Sequence, residues 1–162
     1  MLKIILISFL FVINLYLSEV YLLPKQSDDA ESKISELIQE ANSEIFIAMY
    51  NFSYKKFAND LIEASKHGVR ITVLFDQKKT KKDDEILDLL RENGIKTVVN
   101  KDKNKMHLKV VLIDSKTAII GSTNWTKESF EENYDLIYIT DDKKLILKLK
   151  EFVSKIWLEY HF

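Results

Sequence analysis

The chain has 162 residues, with 24 Lys and Arg against 25 Asp and Glu, a formal net charge of −1 and no cysteine. That length suits one domain, and a hydrophobic content of 46% excludes a disordered chain. The near-neutral balance excludes a strongly basic nucleic-acid-binding domain on global charge, and the lack of Cys leaves no thiolate metal ligand while remaining compatible with export.

Lys3 is followed by an almost unbroken apolar run from Ile4 to Leu17 that continues weakly to Leu23. One cation and then about 14 apolar residues fit a secretory signal peptide. The cleavage signal is poor, because Ser18 is the small residue nearby and Glu19 follows it. The rival is an uncleaved membrane anchor, since residues 4–23 give about 20 residues, the length that crosses a bilayer. Either reading exports the domain, leaving it periplasmic, secreted or anchored to the membrane. A buried helix of the domain is the plain alternative. Residues 24–30 are expected to be a linker that ends in a helix N-cap, and 31–162 the domain.

Alternation of helix and strand runs through the rest. Helices are expected over 30–41, over 54–67 closed by Gly68, and over 83–93 closed by Gly94. Strands are expected over 44–52, 69–75, 95–99, 107–113, 117–120 and 135–140. A final helix runs from 141 to about 160. This order predicts an α/β sandwich, a mixed sheet flanked by helices. There is no internal repeat and no low-complexity tract.

The chemistry concentrates in His107-Leu-Lys109-x4-Asp114-x6-Gly121-Ser122-Thr-Asn124. On a strand, His107 and Lys109 share a face about 6.6 Å apart, close enough for one phosphate to touch both. Asp114 points the other way, at a turn signal between the two strands, and is expected to be structural, bonding backbone N–H groups. Ser122 and Asn124 alternate in the same manner after the second strand. His67 precedes Gly68, where it is expected to sit at a helix C-cap near the negative pole. Asp83-Asp84-Glu85 and Asp141-Asp142 sit at expected helix starts, where acids suit the dipole, so no metal site is expected.

That signature, H-x-K-x4-D-x6-G-S-x-N, resembles the phospholipase D superfamily, and its single copy resembles the short bacterial endonuclease branch and its mitochondrial cousins. The resemblance spans about residues 34–157. It takes in Ser43-Glu-Ile-Phe-Ile-Ala-Met-Tyr50-Asn-Phe-Ser53 as a first core strand and Ala64 to Asp76 as a helix and second strand. It implies the phospholipase D/nuclease-type sandwich and a metal-independent, cofactor-free displacement. His107 attacks phosphorus and forms a phosphohistidine that water hydrolyses. Lys109 and Asn124 hold the non-bridging oxygens, and Ser122 donates to phosphate or to nearby backbone. The Asn133-Tyr134-Asp135 segment matches a downstream acidic position that is usually Glu, so Asp135 is implied to hold the other ring nitrogen of His107. Gly121 belongs to the structural frame of the motif with Asp114. The leaving alkoxide needs a proton, and the resemblance supplies it from a second copy of the motif. A homodimer with one shared site is therefore implied.

The signature recognises a phosphodiester and not its flanks. Lys78, Lys79, Lys81 and Lys82, then Lys101, Lys103 and Lys105, form two local clusters that could follow a polynucleotide backbone or stand as solvated loop lysines. Trp125, Phe130 and Tyr134 could stack bases or pack in the core or a dimer interface. The leading expectation is a nuclease of low sequence specificity, acting on DNA or RNA. The second is a phospholipase D acting on lipid headgroup esters, favoured by membrane association through residues 4–23. The third is an inactive phosphate-binding module, against which the complete set of polar groups speaks.

Overall fold

A computed structural model describes residues 17–80 and 84–159. Its strands are β1 (Ser18–Leu22), β2 (Glu44–Met49), β3 (Arg70–Asp76), β4 (Lys96–Asn100), β5 (Lys109–Ile113), β6 (Thr117–Gly121) and β7 (Leu136–Thr140). Its helices are α1 (Ser27–Gln39), α2 (Lys55–Lys66), α3 (Glu85–Glu92), α4 (Lys127–Glu131) and α5 (Lys143–Glu159). All seven strands form one sheet in the order β1-β7-β6-β5-β2-β3-β4. β2, β3 and β4 run parallel, and the other pairs are antiparallel.

The expected α/β sandwich with a mixed sheet is therefore the fold. The parallel strands β2 (EIFIAM) and β3 (RITVLFD) are nearly continuous apolar runs because helices cover both of their faces. On one face, Ile34, Ile38, Phe57, Leu61 and Leu90 of α1, α2 and α3 pack on Ile47, Val73 and Val111. On the other, Ile146 and Val153 of α5 pack on Val110, Leu112 and Ala118.

The N-terminal boundary differs from expectation. Ser18–Leu22, assigned above to the leader, is edge strand β1, paired residue for residue with β7. Leu23 is buried, and α1 begins at Ser27, so 24–30 is not a free linker. The reason is a period-2 alternation inside SEVYL: Tyr21 packs inward while Val20 and Leu22 stay exposed. Its apolar half prolonged the preceding run and hid the strand. Residues 1–16, with most of the expected leader, lie outside the described residues, as do Lys81, Lys82 and Asp83. Among the described residues, no helix is long and apolar enough to cross a membrane.

The hairpin between β5 and β6 turns at Asp114 and Ser115, both left-handed at φ 52° and 54°. Two consecutive residues of positive φ make the turn whose twist matches the flanking strands, and Asp tolerates that conformation better than most side chains.

Candidate active site

β2 and β3 end where β5 begins, and β6 ends where β7 begins, so these termini share one edge of the sheet. Every candidate except Asp114 lies on that edge. His107 precedes β5, and Lys109 is its first residue. Ser122 and Asn124 follow β6, and Asp135 precedes β7.

His107 and Lys109 meet as expected. Lys109 Nζ lies 3.1 Å from His107 Nε2 and donates to the His107 carbonyl at 3.2 Å. An ammonium can only donate, so the ring nitrogen facing it carries no proton. Burial lowers the His107 pKa, and the Lys109 and Lys105 charges lower it further against an opposing contribution from Asp76. Burial also lowers the pKa of Lys109, and Asp135 acts the other way. The pair therefore consists of a neutral imidazole and a partly desolvated cation.

Tyr50, at the end of β2, is the functional neighbour that the motif did not indicate. Its ring meets the His107 ring edge-on with centroids 4.4 Å apart. Lys109 Nζ and Lys79 Nζ stand 5.1 and 5.5 Å from its centre. Each such contact is worth about 0.5–2 kcal/mol, depending on desolvation. The available signal was positional, a residue at the carboxyl end of a parallel strand. Asp76, at the end of β3, fixes the approach to His107 by accepting from Met106 N at 2.6 Å and Lys78 N at 2.8 Å.

Asn124 is held by its neighbours. Thr123 Oγ1 donates to the Leu136 carbonyl, and Trp125 N donates to that of Asn51. Ser53 N and Tyr54 N both return to the Trp125 carbonyl, at 2.8 and 2.9 Å. The Asn124 Oδ1 atom is buried without a hydrogen-bond partner. That oxygen can only accept, so the group of Asn124 able to hold a phosphate oxygen is its Nδ2 donor.

Two expected roles change. The Ser122 hydroxyl donates to Asp135 Oδ1 at 2.5 Å and accepts from Leu136 N at 3.1 Å. Here it ties the two sides of the β6–β7 junction together. The Asp135 carboxylate takes that hydroxyl, and among the described residues no hydrogen bond joins it to the His107 ring. Its electrostatic effect falls on Lys109. The Asp135 carbonyl accepts from Leu23 N at 2.9 Å, so the end of β1 supports the site.

The aromatic candidates separate. Trp125 and Phe130 are core, packed with Phe52, Tyr54 and Phe57, whereas Tyr134 is 96% exposed. The lysine clusters adjoin each other, since Lys78 Nζ reaches the Lys103 carbonyl at 3.2 Å. His67 caps α2, 3.4 Å from Glu63, and Asp84 accepts from Leu87 N at the start of α3. Among the described residues, no three His, Cys, Asp or Glu side chains converge as metal ligands.

Gly121 explains the glycine of the motif. A Cβ there would stand 2.1 Å from the Leu136 carbonyl oxygen, a backbone atom that cannot move without parting β6 from β7. Gly121→Ala is expected to cost about 3 kcal/mol, the upper range for forced overpacking. Urea unfolding measures it, and a loss under 0.5 kcal/mol would contradict the steric account.

A family model described as cardiolipin synthase, PLD-like domain, matches residues 34–157. The chain belongs to the phospholipase D superfamily. Mitochondrial cardiolipin hydrolase from Mus musculus is 28% identical over 134 residues, 81% of this chain and 61% of that protein. Phospholipase D from Rickettsia conorii is 30% identical over 112 residues, 69% of this chain and 56% of its own length. The chain thus spans less than two thirds of either relative. NucT from Helicobacter pylori superposes with a TM-score of 0.80 at 28% identity, covering 90% of this chain and 97% of that one. Nuc from Salmonella typhimurium, described as a phospholipase D family member, gives 0.79 at 23% identity over 88% and 94%. This last likeness bears on the fold alone.

Proposed function

We propose that the chain is a metal-independent phosphodiesterase that cleaves nucleic acid, DNA or RNA, with little sequence preference. The observation that carries this reading is the 3.1 Å contact of Lys109 Nζ with an unprotonated His107 Nε2. A nucleophile and a phosphate-binding cation already share one point. When a diester enters, Lys109 turns to a non-bridging oxygen and frees the lone pair of Nε2. That nitrogen bonds to phosphorus, the P–O bond to the leaving group breaks, and the departing oxygen takes a proton. Water then attacks phosphorus, the P–N bond breaks, and the imidazole is regenerated. Lys109 and Asn124 stabilise the charge on the equatorial oxygens in both steps. Asp135, oriented by Ser122, keeps the lysine charged.

The proton for the leaving oxygen comes from a second imidazole in its protonated form, which becomes neutral and then takes the proton of the attacking water in the second step. Within this reading a second copy of the chain supplies its own His107, in a two-fold homodimer with one shared site. The apolar N-terminal residues carry the domain out of the cytoplasm or hold it at the membrane.

Nucleic acid is favoured over lipid by two observations. The Lys105 charge acts on His107 and Lys79 stands over the neighbouring Tyr50 ring, and the match with NucT covers nearly all of both chains. The second reading, hydrolysis of phospholipid headgroup esters, has support in the named activities of the Mus musculus and Rickettsia conorii relatives. The full-length chain would be incubated in EDTA with single-stranded DNA, RNA, and vesicles of phosphatidylcholine or cardiolipin. Cleaved nucleic acid beside intact lipid is the expected outcome. Headgroup release with intact nucleic acid would transfer the proposal to lipid.

A further inference from the structure

On the α5 side of the sheet, a groove of about 470 Å³ opens between the 100–108 segment and α5, and His107 lines one end of it. Met106 is buried and Leu108 half-buried along its apolar part, where Ile156 joins them. Phe152 lines it as well and stands 51% exposed, although its neighbour Val153 is buried against the sheet. Asn100, Asp102, Asn104 and Lys105 supply the polar side, so a carboxylate and an ammonium both face a base edge there. The loop that carries them is braced, because Asn100 Nδ2 donates to the Asn104 carbonyl and Asp102 N donates to Asn100 Oδ1.

We propose that this groove seats the nucleobase next to the scissile phosphate, with Phe152 as its stacking platform. The proposal rests on the nuclease reading above and adds the binding subsite. Three features select a base over an acyl chain. A flat exposed phenyl ring offers a face to any base, whatever its sequence. An acyl chain in the same groove would desolvate Asn104 and Lys105 and give them no hydrogen bond in return, whereas the edge of a base can satisfy them. The Lys78 ammonium meets this loop at the Lys103 carbonyl and adds positive charge beside it, where the next phosphates of a strand would lie.

The test compares a base-bearing single strand with an abasic strand of equal length, using the full-length chain in EDTA. The wild type is expected to show a KM about tenfold higher for the abasic strand, the scale of one lost stacking contact. Phe152→Ala is expected to raise the KM for the base-bearing strand about tenfold, with kcat within about twofold and the abasic KM unchanged. Phe152→Trp should restore the wild-type KM, which separates stacking from any loss of folding. Equal KM values of the wild type for the two strands would overturn the groove assignment and leave the nuclease reading standing. So would dissociation of a dimer by Phe152→Ala, which would make the ring a contact between copies. Cleavage of neither strand, with headgroup release from cardiolipin vesicles, would overturn both the groove assignment and the nuclease reading.

Discussion

His107→Ala should lower phosphodiester turnover by about 10⁴-fold or more, the usual scale for removing a covalent nucleophile. The fold should survive, because His107 keeps much of its surface in solvent and is only partly desolvated, against Tyr50 and Lys109. The thermal midpoint should therefore move little. The pH profile carries a second signature. The attacking ring must be neutral, and burial and the nearby ammonium groups push its pKa below 6.5. In the wild type, kcat/KM should rise with pH along a limb lying below 6.5 as the attacking ring becomes neutral, and fall again once the second copy's imidazole has lost the proton it must donate. Mixing equal amounts of wild type and His107→Ala then tests the shared site. If both imidazoles serve one phosphate, only wild-type pairs turn over, and the mixture keeps about a quarter of full activity. Independent sites would keep about half. A variant that retains near wild-type turnover would remove His107 as the nucleophile, and a mixture at one half would remove the shared site.

The strand-borne part of this site was legible in the sequence because a strand has a fixed side-chain period. Two residues apart means one face, and so the His107–Lys109 contact followed from spacing alone. Asp114 was likewise legible as a turn residue on the far side. What spacing could not deliver was contact across the sheet. Tyr50 reaches His107 through the pairing of β2 with β5, and Asp76 reaches Met106 through a loop from the other side of β2. Neither is near the motif in sequence. Asp135 shows the same limit at finer scale. Its place beside the site was readable, but its partner depended on where the Ser122 hydroxyl turned. β1 was missed for a different reason, since an edge strand with one exposed apolar face looks like a continuation of an apolar leader. The five-residue α4 was missed because so short a helix has little periodicity to read. It is held by its cap, Ser129 N donating to Thr126 Oγ1.

Asp114→Ala is expected to cost about 3 kcal/mol of stability while leaving the chemistry of the folded enzyme intact. The carboxylate accepts from Asn42 N and Ser43 N at 2.8 Å, from Ser43 Oγ at 2.8 Å and from Glu44 N at 3.0 Å. It thereby fastens the β5–β6 turn to the chain entering β2. Hydrogen bonds to a charged group contribute roughly 1.5–3 kcal/mol each, and the sum must be discounted because the group is only part-buried. Alanine also tolerates the left-handed turn worse than Asp does. Asp114→Asn keeps the turn and one acceptor oxygen, so its expected cost is smaller, about 1–2 kcal/mol. Burial alone would raise this carboxyl's pKa, but the bonds from residues 42–44 outweigh burial and hold it well below the ordinary 3.8. A depressed folded-state pKa means stability that is fully present above the unfolded value and is lost as pH falls through the folded one. The gap between wild type and Asp114→Asn should thus be constant from neutrality to about pH 5 and close progressively in stronger acid. Urea unfolding at pH 7, 4 and 3 measures it, and a gap that stays constant into acid would exclude the charge as its source. Activity separates the roles within the motif. Asp114 lies about 16 Å along β5 from Lys109, five residue steps away. Its loss should leave kcat unchanged at temperatures where the variant is folded, whereas a fall in kcat comparable to that of His107→Ala would place this carboxylate in the chemistry after all.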